Sequence, residues 1–297
     1  MFADSVKTDS DSFAPPQADL AEKRDRLAAL LESCGRVVVA YSGGVDSVVV
    51  AKAAQLALGE RALAATGVSA SLAPSELAEA RRLAELIGIR HEVIETTEFE
   101  QPAYLANAPD RCYHCKTELY TRLETLLERF PDAVVVNGAN LDDRGDYRPG
   151  MIAAAEHRVR SPLVECEFTK ADVRALAAHW RLPVWDKPAS PCLSSRIAYG
   201  EQVTPERTAM IDRAEQFLRG LGLRELRVRY HKGDLARLEV PLDALPRLAD
   251  ESLRTQIVAE LRRIGFQFVT LDLEGFRSGS LNRLVEIDVA GSSVRGA

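Results

Sequence analysis

Long hydrophobic runs, a surplus of positive charge and abundant cysteine are all missing from this sequence. The uninterrupted apolar runs are too short to span a bilayer and the polar N-terminus has no signal-peptide core, so we expect a cytoplasmic protein with no membrane partner. The chain has 38 basic and 44 acidic side chains, a net charge of −6, which argues against a nucleic-acid partner. In a reducing compartment, its five cysteines are expected to be ligands, nucleophiles or buried thiols rather than disulfides.

The order of apolar patterns predicts two domains. Residues 1–17, rich in Ser, Asp and Pro, are expected to form a disordered leader. Strand-like runs then alternate with helical patterns, which predicts an α/β domain with a doubly wound parallel sheet over residues 18–200. After a loop rich in Pro and Ser, the pattern changes, and we expect a smaller C-terminal α+β domain over residues 201–290 for substrate binding and oligomerisation.

Periodicity and end signals give the bounds of these elements. Helices are predicted over residues 20–33, 48–58, 74–87, 112–130, 151–157, 169–182, 204–221 and 251–264. Strands are predicted from residue 37 and over residues 62–69, 91–96, 133–136, 159–164 and 266–273. Residues 224–230 and 235–240 flank a four-residue turn and predict a β-hairpin.

The stretch of residues 37–47 is the centre of the chain, because a buried strand ends there in a polar glycine turn that opens a helix. Gly43 and Gly44 allow an anion to approach the backbone N–H groups at the helix start. Ser42 and Ser47 add hydroxyl donors, and Asp46 beside a phosphate implies an intervening cation. The turn therefore predicts a site for polyphosphate and Mg²⁺, and its lack of a lysine excludes the common P-loop. The alternative is an ordinary surface helix opened by a glycine turn.

A second polar loop, residues 137–144, directly follows the predicted strand at residues 133–136. Because the carboxyl ends of parallel strands meet at one edge of a sheet, we expect this loop to lie beside the glycine turn. Gly138 lets a nucleotide approach, and Asp142 is a candidate for placing Mg²⁺. The alternative is a polar connection capped by aspartate.

Three cysteines form a candidate sulfur site. Cys112 and Cys115 make a C-x-x-C motif, and Cys192 lies in a Pro- and Ser-rich loop that the sheet can bring to the same edge. The set is compatible with a 4Fe-4S cluster with one open iron, with zinc bound also by the histidine between the first two, with a redox dithiol, or with thiols that bind nothing. Cys34 and Cys166 are predicted to be buried small apolar residues.

Two arginines alternate with apolar residues in the predicted strand at residues 224–230. Period two places the guanidiniums of Arg227 and Arg229 on one face of the sheet. Together with Arg196 they are a candidate fork for a substrate phosphate. A solvated strand face is the alternative.

The glycine turn matches, residue for residue, the Ser-Gly-Gly-x-Asp-Ser loop of the PP-loop ATP pyrophosphatases, and the chain resembles that family. The resemblance implies an adenine nucleotide alpha hydrolase-like fold that binds ATP and Mg²⁺. It also implies cleavage of ATP between its α and β phosphates, with adenylation of a substrate oxygen.

Five segments in one order resemble a narrower family, the ATP-dependent sulfur transferases that make the nickel-pincer nucleotide cofactor of lactate racemase. These are the glycine turn and residues 111–116, 137–143, 188–196 and 226–229, and the likeness covers about residues 18–285. The resemblance implies that Cys192 bears the transferred sulfur. It also implies that the substrate is the small molecule pyridinium-3,5-biscarboxylic acid mononucleotide.

Members of that family with only the Cys192 equivalent give up its sulfur and end as dehydroalanine. Members with the added C-x-x-C are taken to hold a 4Fe-4S cluster whose open iron carries an extra sulfide, which requires a sulfide donor. The resemblance therefore implies a cluster on Cys112, Cys115 and Cys192.

The same resemblance assigns further residues and an assembly. It implies phosphate binding by Arg227 and Arg229 and a substrate-side role for Arg196 and Glu215. It also implies a homohexamer.

Three other functions compete with this one. A tRNA thiolase also pairs this turn with three cysteines, but the acidic balance and the lack of a Lys-rich or zinc-ribbon module count against it. An amidating synthetase of the NAD or GMP type gives Cys192 no role. A nucleotide-responsive sensor would release no pyrophosphate with any carboxylate.

Overall fold

The structure, a computed structural model, describes residues 18–145, 149–277 and 280–281. The leader predicted over residues 1–17 and the end of the second predicted domain lie outside the described residues. The helices are α1 (Ala18–Ser33), α2 (Val45–Leu58), α3 (Pro74–Ile87), α4 (Pro102–Leu105), α5 (Arg111–Leu127), α6 (Pro149–Glu156), α7 (Pro162–Glu165), α8 (Lys170–His179), α9 (Pro205–Gly220), α10 (Leu245–Ala249) and α11 (Glu251–Ile264). The strands are β1 (Val37–Ala40), β2 (Ala62–Val68), β3 (Arg90–Glu95), β4 (Val134–Val136), β5 (Arg227–His231), β6 (Leu235–Glu239) and β7 (Phe268–Leu271).

The first sheet has helices on both faces. Its strands follow the order β3-β2-β1-β4, and all neighbours are parallel. Side chains of β1 alternate between two cores: Val37 and Val39 pack with α1, α2, α3 and α8, whereas Val38 packs with α5 and α6. A strand buried on both sides explains the continuous apolar run in the sequence. The predicted doubly wound α/β fold is confirmed.

Local end signals fix several helices. Thr169 caps α8 as predicted, because its side chain accepts from the Asp172 N–H while the Asp172 carboxylate accepts from the Thr169 N–H. Gly88 ends α3 in the left-handed conformation, with φ 79°, as the sequence indicated. Helix α2 begins at Val45, three residues earlier than predicted, because Gly44 is its N-cap with extended backbone.

The strand predicted over residues 159–164 is wrong. Arg160 alone forms an isolated parallel bridge, with Val136, and the chain turns at once into α7. Pro162 explains the difference, since it has no N–H for a strand ladder and its fixed φ suits the first turn of a helix.

A second, smaller sheet lies C-terminal to the first. Strands β5 and β6 form the predicted antiparallel hairpin, and β7 pairs parallel with β6. Its core also contains Tyr104, Leu193 and Ile197, which precede residue 200 in the chain. The loop of residues 187–200 that contains Cys192, hereafter the Cys192 loop, is thereby packed on the second sheet. The domain boundary near residue 200 remains a prediction. Within the described ranges, no helix combines the length and apolar composition needed to cross a bilayer.

Candidate active site

The glycine turn lies between β1 and α2 and is held by its own hydroxyls. The Ser42 N–H donates to Ser47 Oγ at 3.2 Å, and the Gly44 N–H donates to Ser42 Oγ at 3.3 Å. Gly43 has φ +74°, and a Cβ there would lie 3.0 Å from the Cβ of Ala80 on α3. In the described part of the chain, the N–H groups of Gly43, Val45 and Asp46 have no acceptor, so they are available to an anion.

Gly138 brings the second polar loop against this turn. A Cβ on Gly138 would lie 2.7 Å from the Ser47 nitrogen and 2.9 Å from the Asp46 carbonyl carbon. No larger residue fits that approach without displacing the start of α2. The structure therefore brings together the two loops that the sequence predicted to be neighbours.

Asp46 is held by two residues from other segments. Its Oδ1 accepts from Asn140 Nδ2 at 3.0 Å, and its Oδ2 accepts from Lys170 Nζ. Asp142 does not contact Asp46 but accepts from the Lys170 N–H at 2.6 Å, which places the start of α8. Mg²⁺ fits the carboxylate of Asp46 by donor type. Binding there would require Lys170 to leave Asp46, and a phosphate is a natural new partner for its ammonium group.

The Cys192 loop lies at the same edge of the sheet as the glycine turn. The Leu193 N–H donates to the Ser71 carbonyl at 2.8 Å, and Ser71 follows the end of β2. Lys187 Nζ and Ser190 Oγ both bond to Glu76, in the first turn of α3. Since α3 also packs against Gly43, one helix contacts both the turn and the loop.

Two buried arginines hold the loop in place. Arg196 donates to the Cys192 carbonyl at 3.0 Å and to Glu215 Oε1 at 3.1 Å, and its side chain is 2% exposed. Arg229 donates to the Ser195 carbonyl at 3.1 Å and is paired with the fully buried Glu239. Each guanidinium already has a carboxylate partner, and its other N–H groups hold the loop by donating to its carbonyls.

Arg227 differs from these two. Within the described ranges, its guanidinium donates only to the carbonyls of Leu226 and Ala189, each at 2.8 Å, and it lies 5.1 Å from the ring centroid of Phe276. No carboxylate pairs with it among the described residues. Burial and, next, the charge of Arg196 lower the pKa of Arg227 to about 10. A bound anion would relieve this repulsion, so Arg227 is a strong candidate for binding one.

A cavity of about 270 Å³ lies beside Arg227 and Arg229. Its volume is close to the range of small-molecule sites. Several cationic and apolar residues line it: Arg111, Pro188, Ala189, Pro191, Ser195, Ile197, Tyr199, Arg227, Arg229, Phe276, Arg277 and Leu281. The cavity therefore offers positive charge and apolar surface to an anionic ring compound.

The three candidate cysteines are free thiols near one another. Cys112 and Cys192 are exposed and Cys115 is partly buried. Burial raises the pKa of Cys115 to about 12, and the charges of Cys192 and Cys112 act in the same direction. No group of three Cys, His, Asp or Glu side chains arranged to hold a metal occurs in the residues that the structure describes. The donor set suits an iron–sulfur cluster chemically, but its geometry is not preformed.

The remaining cysteines lie elsewhere. Cys166 is buried, as predicted, and burial raises the pKa of its thiol. Cys34 is only partly buried. Its sulfur accepts from Arg160 at 3.3 Å, and its thiol donates to the Leu30 carbonyl at 3.3 Å. The prediction of burial is therefore right for Cys166 and too strong for Cys34.

Sequence reasoning did not select Lys170, Arg111 and Phe276 as site residues. Lys170 follows Thr169, the N-cap of α8. The capping pattern alone explained this stretch of sequence, so Lys170 gave no separate signal of a site. Arg111 directly precedes the C-x-x-C motif, which was the available signal. Phe276 had no signal in the sequence, because it is the turn after β7 that brings its ring to Arg227.

Comparison with known proteins gives four likenesses. The NAD synthase family matches residues 22–116. The chain is 45% identical over 266 residues to an uncharacterized protein of Synechocystis sp., covering 90% of this chain and 99% of that protein. It is 39% identical over 267 residues to the pyridinium-3,5-bisthiocarboxylic acid mononucleotide synthase of Lactiplantibacillus plantarum, covering 89% and 95%. A tRNA-specific 2-thiouridylase of Azorhizobium caulinodans is 33% identical over 194 residues, covering 52% and 49%.

Proposed function

Because the chain belongs to the family of the pyridinium-3,5-bisthiocarboxylic acid mononucleotide synthases, we propose that it converts carboxylates of pyridinium-3,5-biscarboxylic acid mononucleotide into thiocarboxylates at the expense of ATP. The proposal is supported above all by one observation: the Cys192 loop and the glycine turn lie at one edge of the sheet. A sulfur atom and an activated carboxyl group can meet there.

The reaction that suits this arrangement has two steps. A substrate carboxylate oxygen attacks the α-phosphorus of ATP, which releases pyrophosphate and leaves an acyl-adenylate. A sulfur nucleophile then adds to the acyl carbon, and the C–O bond to the adenylate breaks. AMP leaves with that electron pair, and the proton of the nucleophile passes to solvent. Sulfide gives the thiocarboxylate directly. The Cys192 thiolate gives a thioester, and loss of the Cys192 Cα proton with cleavage of its Cβ–S bond then releases the thiocarboxylate and leaves dehydroalanine. Adenylation is needed because AMP leaves readily whereas a carboxylate oxygen does not.

We assign the residues as follows. Ser42, Gly43, Gly44 and Ser47 bind the phosphates of ATP, chiefly through backbone N–H groups that stabilise charge on the phosphorus. Asp46 holds Mg²⁺ once Lys170 has turned to a phosphate. Gly138 permits the approach of the nucleotide, and Asp142 supports Lys170 through its backbone.

On the substrate side, we assign the phosphate of the mononucleotide to Arg227. Arg229 lines the same cavity and adds positive charge to it. Arg196 and Glu215 act indirectly, since Arg196 is held by Glu215 and fixes the Cys192 carbonyl.

The test of the proposal is mononucleotide-dependent chemistry. With ATP, Mg²⁺ and the biscarboxylic acid mononucleotide, we expect pyrophosphate release and, by mass spectrometry, replacement of carboxylate oxygen by sulfur. Cys192→Ala should still release pyrophosphate but form no thiocarboxylate, whereas Cys34→Ala should behave as wild type. The assignment would be refuted if pyrophosphate release did not depend on the mononucleotide, or if Cys192→Ala formed the thiocarboxylate.

For repeated turnover, we propose that Cys112, Cys115 and Cys192 hold a 4Fe-4S cluster. Such a cluster would supply an open iron able to carry an extra sulfide received from a donor. The three thiols are free, and their charges act on one another, which supports the proposal. The Cys192 loop would have to adjust for the three sulfurs to reach ligand distances.

Cys112→Ala tests the cluster. We expect this variant to lose multiple turnover and to complete at most one, because one of three ligands is gone. Iron and sulfide assays after anaerobic reconstitution provide the independent readout, with Cys166→Ala as the control. Less than one iron per wild-type chain would remove the cluster and leave sacrifice of the Cys192 sulfur.

Free thiols of this kind fit the reducing cytoplasm, and we propose that compartment. We also propose a homohexamer, which light scattering of the purified protein would test.

A further inference from the structure

Arg111 is a buried cation at the junction of the two cysteine segments. The residue is 5% exposed and begins α5, directly before Cys112. Its Nη1 donates to Asn107 Oδ1 at 2.5 Å and to the Ser194 carbonyl at 2.8 Å. Ser194 lies two residues after Cys192, so Arg111 connects the helix of the C-x-x-C motif to the loop of the third cysteine.

The charge of Arg111 has no carboxylate partner within the described ranges. Its Nε and Nη2 groups have no acceptor there either, and the side chain lines the cavity that also contains Arg227. Burying a guanidinium is costly, and the negative charges that offset this cost here are chiefly those of Cys192 and Cys112 when deprotonated, not a carboxylate. An anionic ligand in the cavity would supply the missing partner.

The other cavity arginines are placed differently. Arg229 is paired with Glu239, and Arg277 is paired with Glu274 and Asp272. Arg227 is unpaired, but it bonds to Ala189 and stacks on Phe276. Of the two unpaired cations, Arg111 is therefore the one bonded next to the sulfur residues.

We propose that Arg111 binds the reacting carboxylate of the substrate and presents its carbon to the sulfur at Cys192. The inference rests on the proposed function, which supplies a ligand with a phosphate and two carboxylates. Arg227 takes the phosphate, and Arg111 takes the carboxylate that must lie near the cysteines. Two N–H groups on one guanidinium match the two oxygens of a carboxylate.

The same contact serves both steps of the reaction. Before adenylation, Arg111 orients the carboxylate so that one oxygen can reach ATP. When sulfur adds to the acyl carbon, negative charge develops on the carbonyl oxygen, and the Arg111 N–H groups stabilise that charge. Arg111 is thus a catalytic residue of the sulfur-transfer step as well as a binding residue.

Binding of two ligands to the purified protein tests this assignment. One ligand is the pyridinium-3,5-biscarboxylic acid mononucleotide, and the other is the pyridinium mononucleotide that lacks both carboxylates. Calorimetry without ATP should show that Arg111→Gln weakens the first ligand by about 10- to 100-fold, the effect of losing hydrogen bonds between charged groups. The affinity of the second ligand should not change. Arg111→Lys, which keeps the charge, should recover part of the loss.

Two control variants separate binding from loop anchoring. Tyr104→Phe removes the 2.7 Å hydrogen bond to Ser194 Oγ and leaves the cavity charges intact, so any effect should be equal for the two ligands. Arg227→Gln should weaken both, because both carry the phosphate.

Three outcomes would overturn the inference. Equal loss of both ligands in Arg111→Gln would make Arg111 a structural anchor, and no loss of either would show that it does not contact the substrate. If the wild type bound neither ligand, the proposed function would fail together with the inference. If the wild type bound both and Arg111→Gln did not discriminate, only the inference would fail.

Discussion

Gly138→Ala is the sharpest test of the contact between the two loops of the nucleotide site. The added Cβ would lie 2.7 Å from the Ser47 nitrogen, 2.9 Å from the Asp46 carbonyl carbon and 3.0 Å from the Ser47 Cα. All three atoms are backbone at the start of α2, so no side-chain rotation relieves the contact. The gap must open from 2.7 Å to the 3.4 Å at which ordinary van der Waals contact begins.

The size of the effect follows from that displacement. Overpacking of well-packed sites costs about 1–3 kcal/mol, and we expect the free energy of unfolding to fall by this amount. A displacement approaching 1 Å at a reacting group costs up to about 100-fold in rate. We therefore expect kcat/KM for ATP to fall by about 10- to 100-fold, since the displaced atoms belong to the turn that is proposed to bind phosphate.

The assay is pyrophosphate release at varied ATP, with urea unfolding of the same samples. Gly220→Ala is the matched control, because no atom of the described residues lies within 4 Å of its added Cβ. That control should retain wild-type kinetics. Wild-type kcat/KM for ATP in folded Gly138→Ala would show that the turn need not hold this geometry, and the nucleotide assignment would fall.

Two further predictions concern stability. Glu215→Ala leaves Arg196 buried without its carboxylate, so urea unfolding should show that the free energy of unfolding falls by about 3–5 kcal/mol. Glu260→Ala, which removes a surface ion pair, should change it little. Equally small effects of the two substitutions would contradict the buried-pair argument. Burial lowers the pKa of His91 below 6.5. As the pH falls, His91 is therefore protonated in the unfolded chain before it is protonated in the folded one, and the free energy of unfolding should fall as the pH drops through 6.5. His91→Gln should make this dependence shallower without removing it, because burial also lowers the pKa of His231; an unchanged slope would refute the assignment.

The elements that the sequence predicted well are those whose causes are local. The continuous apolar run of β1 is by itself the signal of a strand buried on both faces, and the Thr169 cap is formed by residues three apart. The glycine turn is predictable for the same reason, since Ser42 and Ser47 close it themselves. Local sequence contains all the information that such features need.

The features that were not predictable depend on contacts between distant residues. Lys170 reaches Asp46 across 124 positions, and Arg111 reaches the Ser194 carbonyl across 83. Neither pairing has a periodic or motif signal, because each is set by the order in which strands enter the sheet. The strand predicted over residues 159–164 failed for a local reason, the proline at residue 162.

The arginines show how structure refines a pattern that sequence can only group. Arg196, Arg227 and Arg229 were predicted as one fork, yet two of the three have buried carboxylate partners and donate to carbonyls of the Cys192 loop. Each of these two arginines is paired with a buried carboxylate that it shares with a second arginine, so its first effect is to hold the loop in place. Arg227 has no such partner among the residues that the structure describes, so its charge is available to an anion. The difference comes from Glu215 and Glu239, which are remote from any motif and decide which cations remain available.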